Sequence, residues 1–290
     1  MDSKFKLKEK KEIYTFYEPN KDLKRGFFGM WRIMFNDVLK SAGLGWRLFL
    51  RDFSAKYRQS SLGYLWTLII PVVTVLTFIF LNKSQVLNIG NVKIPYPVFA
   101  FFGITVWGVI QEMVVGISAV MDSSVGLVRK INFPKISLVY SPILVTGINF
   151  VMKMIVVIIL CIIYKVVPSI YALYFPLLLL PFFLLSIGIG FYFAILGSIF
   201  KDVGNYLLII FQILMLVTPV LYVAPSQGFF NVINRYNPFF YLIYTIRDLV
   251  FTGEFNYGLG FLISVGICII IFLSGWRFYH VATGRIVEKI

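Results

Sequence analysis

RDFSAKYRQSSLGYLW, residues 51–66, sets three cations and a run of small polar residues directly against a strongly apolar segment. Lys and Arg gathered beside an apolar run mark the cytoplasmic flank of a membrane span. The run that follows, TLIIPVVTVLTFIFL (67–81), carries no charge. The junction therefore reads as the place where the chain enters a bilayer.

Composition agrees. Hydrophobic residues make up 59% of the 290 and charged residues only 14%, too greasy a balance for a water-soluble domain of this size. Several runs of about 20 apolar residues follow residue 62, each long enough for a hydrocarbon core about 30 Å thick. The formal charge of +14 would suit a nucleic-acid partner, but 14 of the 27 Lys and Arg fall in the first 65 residues. That is a basic flank facing anionic lipid, and no basic groove for nucleic acid remains outside it.

Working outward from the junction, residues 1–29 are charged and broken by EPNKD, which predicts a cytoplasmic tail. Residues 30–62 predict an amphipathic interfacial helix. Trp46, Phe49, Phe53 and Tyr57 share one stripe, Lys40, Arg47, Arg51 and Arg58 gather on another face, and Asp52 and Lys56 stand four apart. Rings at headgroup depth with cations beside them suit a helix lying in the membrane surface; rings stacked on a sugar are the competing reading.

Beyond it the hydropathy predicts one domain, residues 63–280, with spans at 64–82, 97–120, 137–164, 171–198, 203–223 and 257–279, and a tail at 281–290. Six crossings put both termini on one side. Charge makes that side cytoplasmic, because SSVGLVRKINFPK (123–135), FKDVGN (200–205) and the tail with Arg277, Arg285 and Lys289 fall together, against Lys83, Lys93 and Lys165 opposite. The expected fold is thus an all-α membrane protein: six transmembrane helices, an amphipathic helix before them, and a re-entrant helical hairpin between the last two spans. The hairpin is residues 226–253, where Asn234, Arg235, Asn237 and Pro238 cut an aromatic segment into two pieces too short to cross. A helical loop on the outer surface is the alternative.

Little in the chain could do chemistry. No GxxxxGK[ST] phosphate loop occurs, and His280 is the single histidine. No metal site, no cofactor and no disulfide are expected; Cys161 and Cys268 sit inside apolar runs. Glu112 and Lys153 are ionisable groups within predicted spans and so are functional candidates. Their depths counted from the loop at 123–135 differ, which speaks against a pair.

Five motifs carry a resemblance. RDFSAKYRQSSLGYLWTLIIP (51–71), PYPVFAFFGITVWGVI (95–110), LVRKINFPK (127–135), FKDVGNYLLIIFQILMLVTPVLY (200–222) and NPFFYLIYTIRDLVFTG (237–253) together resemble the permease subunits of bacterial ABC exporters for O-antigen, capsule and teichoic acid polysaccharides. The resemblance runs in order over residues 46–280. It implies a homodimer of six-span permeases in the bacterial plasma (inner) membrane, with two cytoplasmic ATPase subunits that bind the ATP and Mg. The substrate would be a lipid-linked polysaccharide passing between the two permeases.

By similarity, Trp46, Phe49, Arg51, Phe53, Tyr57 and Arg58 form the interface helix near the channel entrance. Arg129, Lys130, Phe133 and Pro134, with Lys201 and Asp202, are the contacts coupling the permease to the ATPase. Tyr64, Trp66, Tyr206, Phe211, Gln212 and Tyr222 are candidates to line the channel, since sugars lay their CH faces on aromatic rings. Two departures stand out: FKDV has a lysine where relatives often carry an arginine, and the amino-terminal extension is long. A drug or small lipid as cargo, or an ion-coupled carrier built on Glu112 and Lys153, are the rival readings.

Overall fold

The computed structural model describes residues 27–58, 63–84, 92–131, 133–224 and 227–287, and every regular element among them is a helix. Residues 1–26 lie outside the described residues, as do the side chains of Lys56, Tyr57, Arg58, Tyr64, Arg129 and Lys130.

Helix α1 (Phe27–Arg58) begins three residues before the predicted start and runs unbroken for 32 residues. It leads to α2 (Trp66–Lys83), α3 (Tyr96–Ser118) and two short helices, α4 (Val120–Ser123) and α5 (Val125–Lys130). A 3-10 turn (Lys135–Val139) opens α6 (Tyr140–Ile163), and a second (Ile170–Tyr174) opens α7 (Phe175–Ile199). Then come α8 (Val203–Val217), α9 (Phe229–Tyr236), α10 (Pro238–Phe251) and α11 (Gly258–Val287).

Each predicted span has a helix, but the six are not equal. Four stretches are long and apolar enough to cross a membrane: 96–118, 135–163, 170–199 and 258–284. The apolar parts of the other two, Trp66–Leu81 and Val203–Val217, are shorter, about 24 and 22 Å at 1.5 Å per residue. Helix α8 stops six residues short of the predicted end, because Pro219 disfavours helical backbone at the residue before it. Thr218 accordingly takes φ −83°, ψ 127°. Helix α11 instead runs on to Val287, so most of the predicted tail is helix.

Apart from Gln111 and Glu112, helix α3 is apolar nearly all round, the pattern of a buried helix, and it is the centre of the bundle, touching α2, α6, α7, α8 and α10. Between helices in lipid, close approach of backbones replaces the hydrophobic drive available in water. Glycines supply it here. A Cβ built on Gly188 of α7 would lie 2.7 Å from the Cα of Phe272 on α11, and one on Gly190 would lie 2.9 Å from the Cβ of Ile117 on α3. Around these crossings Phe191 packs on Tyr279, ring centroids 5.1 Å apart.

Candidate functional site

Helix α1 is docked rather than free. Its inward row (Met34, Ser41, Leu48, Phe49) is buried, and it meets the start of α6: Tyr140 Oη donates to the Val38 carbonyl at 2.8 Å, and Ser141 Oγ donates to Asp52 Oδ2 at 2.7 Å. Gly45 makes the approach possible, since a Cβ there would come within 2.6 Å of the Tyr140 ring. His280 of α11 lies 4.0 Å from Asp37 of α1.

The predicted aromatic stripe exists as a ladder, Trp46 to Phe49 at 5.1 Å and Phe49 to Phe53 at 5.2 Å. It does not lie on one open face. Phe49 is 4% exposed while Trp46 is 53% exposed, so the stripe turns from protein to surface along its width. The exposed apolar row is Phe35, Leu39, Trp46 and Leu50, bordered by exposed Lys40, Arg47 and Arg51. Sequence reading missed Leu39 and Leu50 because it followed the rings alone, and Phe35 because the stripe was begun at Trp46.

The two segments predicted to couple come together at this end of the bundle. A Cβ on Gly197, near the end of α7, would sit 3.1 Å from the Ser118 carbonyl carbon at the end of α3. The turn at 200–202, with Lys201 and Asp202 exposed, therefore begins beside the segment 119–135. That segment is α4 and α5 followed by extended Ile131, then Pro134 at φ −61°, ψ 117°. Phe133 is covered by the Lys135 ammonium 4.2 Å from its ring centre. Tyr279 Oη of α11 donates to the Lys135 carbonyl at 3.0 Å, so the return of this segment is tied to the last helix.

Among the proposed lining residues, Trp66, Tyr206 and Gln212 are exposed. Tyr206 continues into an open face of α8 with Ile209, Ile213 and Leu216, one side of a helix at three- and four-residue steps. Phe211 is elsewhere: it is buried against Trp107 of α3, with centroids 6.3 Å apart. Tyr222 is half-buried and its hydroxyl turns back to donate to the Leu216 carbonyl at 2.7 Å.

After α8 the chain unwinds, and the unwound backbone is satisfied by side chains. Arg247 of α10 donates from Nη2 to the Val220 carbonyl at 2.7 Å, its guanidinium 3.8 Å from the Phe99 ring centre. Tyr96 Oη donates to the Leu221 carbonyl at 2.9 Å, and Tyr244 Oη accepts from the Ala224 amide at 2.5 Å. Unwound backbone within a bundle persists only where its polar groups find partners in this way. The break between α9 and α10 falls at Asn237, whose Oδ1 caps the Phe239 amide at 3.0 Å and whose Nδ2 donates to Thr218 Oγ1 at 2.9 Å. Arg247 was not legible as a functional residue from the sequence, although a lone cation within PFFYLIYTIRDLVF was the available signal. Between the loops before α3 and after α10, Lys93 pairs with Glu254 at 2.6 Å, which raises the lysine pKa and lowers that of the carboxyl.

Glu112 and Lys153 do pair. The Lys153 ammonium donates to Glu112 Oε1, and Asn149 Nδ2 donates to Oε2 at 2.8 Å. Helix carries the chain on past residue 123, through α5 to Lys130, so Glu112 lies farther from the turn than a count from residue 123 gives. Glu112 stands eighteen residues before Lys130 and Lys153 eighteen after Lys135, so both are at one level. Gly108 leaves room for the ammonium, 3.2 Å from where its Cβ would be. Among the described residues no group of three or more His, Cys, Asp or Glu could hold a metal ion.

The family model described as ABC-2 type transporter matches residues 44–251, from the second half of α1 to the end of α10. An O-antigen export system permease protein RfbA of Klebsiella pneumoniae is 25% identical over 212 residues, 71% of this chain and 80% of its own length. One of Myxococcus xanthus is 26% identical over 187 residues, 64% of this chain and 70% of its own length.

Proposed function

Since this chain belongs to the ABC-2 type transporter family, as the multi-pass membrane subunit of a transporter whose ATPase is a separate subunit, we propose that it exports a lipid-linked polysaccharide. The observation that carries this reading is the likeness, over most of the chain, to permeases named for O-antigen export. In this reading two copies of the chain form the conduit in the bacterial inner membrane and two ATPase subunits bind Mg-ATP below them. All six apolar helices cross, the two short ones with the help of a thinned bilayer, and both termini are cytoplasmic.

The division of labour follows from the residues present. The segment 119–135 is pinned to α11 through Tyr279 and joins α3 to α6, so a push on it moves whole helices as rigid bodies. Arg129, Lys130, Phe133 and Pro134, with Lys201 and Asp202, receive that push. The α1 surface of Trp46, Leu50 and Arg51 lies at the membrane surface where the substrate lipid enters. Trp66, Tyr206 and Gln212 offer the conduit rings and an amide, groups that a glycan slides over without lodging. Phe211 supports that wall from behind, against Trp107. The hairpin α9–α10 stands at the outer mouth.

The decisive experiment is reconstitution in vesicles with and without the ATPase subunit encoded for the same transporter. ATP-dependent movement of a fluorescently tagged lipid-linked glycan, absent without the ATPase, is the expected result. Movement of small amphiphiles in preference to the glycan would replace the substrate; movement of either without ATP or ATPase would overturn the coupling.

A further inference from the structure

Where α6 ends, the chain builds a feature that the transport reading does not use. A groove of about 530 Å³ descends along α6 from Lys165 to Met154 and is walled by Phe102, Cys161, Phe175 and Val250. Along α6 this is a depth of about 16 Å. Its lining is apolar except at the top, where the Lys165 side chain forms the rim and is exposed. Lys165 is also the one non-glycine described residue with positive φ, 53°. The left-handed turn lets the Val166 amide donate to the Cys161 carbonyl at 2.9 Å, closing α6 in the manner usually left to glycine. Among the described residues no carboxylate pairs with the ammonium.

The surroundings fix what reaches this groove. Its open side continues into the exposed aliphatic row Ile155, Ile158, Ile159 and Ile162, and the loop beyond exposes Val167 and Ile170 at 84% and 83%. On a helix long and apolar enough to cross a membrane, such surface suits contact with hydrocarbon. Tyr164, Tyr171 and Tyr174 are exposed at the same end, and tyrosines gather at the headgroup level. Lys165 therefore stands at phosphate depth with a slot for one chain beneath it. We propose that the groove is a binding site for an anionic phospholipid, one acyl chain lying along α6 and the phosphate on Lys165. That the lipid comes from the outer leaflet rests on the orientation given above; its binding does not depend on the cargo.

The test is photolabelling of the full chain in nanodiscs of phosphatidylcholine that contain one-tenth phosphatidylglycerol with a diazirine in one acyl chain. Label should concentrate on residues 154–175, at least fivefold above the exposed aliphatic face of α11 (Leu259, Leu262, Ile263 and Ile270), and phosphatidylcholine carrying the same diazirine should label this region at least fivefold less. Lys165→Glu should abolish the preference for phosphatidylglycerol, and Ala172→Phe, which fills the groove, should remove the label for both lipids. Equal labelling of the two helix faces, or an unchanged preference in Lys165→Glu, would mean non-specific contact and overturn the site. Cross-linking of two copies through Ile162→Cys would show a second copy seated there instead, which overturns it too. Because photolabelling requires no transport, a wrong cargo assignment leaves its outcome untouched.

Discussion

Lys153 on α6 reaches across Gly108 to place its ammonium on Glu112 of α3, and Asn149, one turn away, holds the other carboxylate oxygen. The two helices so joined are those that carry the segment 119–135 between them. A buried ion pair adds little net stability over an apolar pair, but its half-broken form is costly. Lys153→Met should therefore destabilise the protein by about 3 kcal/mol, somewhat less to the extent that Glu112 retains solvent. Glu112→Met with Lys153→Met should recover most of the loss. Thermal unfolding of the purified single and double variants decides this; additive losses would show that the groups act independently.

Among the described residues Arg247 is the second buried cation, and its partner is a carbonyl of unwound backbone. Arg247→Met leaves the Val220 carbonyl without a donor, at a cost of about 1–3 kcal/mol. The loss should be local, seen as faster amide hydrogen exchange over residues 218–224 with α6 and α7 unchanged. Uniformly faster exchange would mean that Arg247 supports the whole bundle instead.

Gly188 admits no side chain while the Phe272 backbone stays in place. Gly188→Val should push α7 and α11 apart and destabilise by about 1–3 kcal/mol. Gly43, where a Cβ meets nothing within 4 Å, is the control: Gly43→Ala should express at the parent level. Equal yields of folded protein for both variants would refute close packing at this crossing.

The pair of Lys93 and Glu254 ties the loop before α3 to the one after α10. The carboxyl pKa is lowered from 4.5 by the hydrogen bond from Lys93, so its contribution is complete above that value and is lost as pH falls through the lowered one. The lysine pKa is raised from 10.5 by the same bond, so its contribution is complete below that value and is lost as pH rises through the raised one. Spin labels at Val92→Cys and Phe255→Cys, each beside one partner of the pair, should hold a constant distance from about pH 5 to about pH 10 and spread outside it. Spreading near neutral pH would contradict the tie.

Arg129→Glu with Lys130→Glu should leave the purified fold intact and abolish export while the partner ATPase continues to hydrolyse ATP. Unimpaired export in that variant would remove this segment from the coupling path.

Hydropathy and charge determined a great deal by themselves, because a bilayer punishes unsatisfied backbone and misplaced charge so heavily that spans and flanks are written into composition. The helices, the break at Asn237 and the family resemblance were all legible from residues such as those of 51–71 and 237–253. Even the early end of α8 was there to be read in Pro219. Tertiary structure alone decided which side of each helix meets protein, because when every residue is apolar no periodicity separates a buried face from a lipid-facing one. That is why Phe211 is core while Tyr206 is open, and why Phe49 turns inward beside exposed Trp46. The pairing of Glu112 with Lys153 was likewise out of reach, since the relative height of two helices depends on where the turn between them falls.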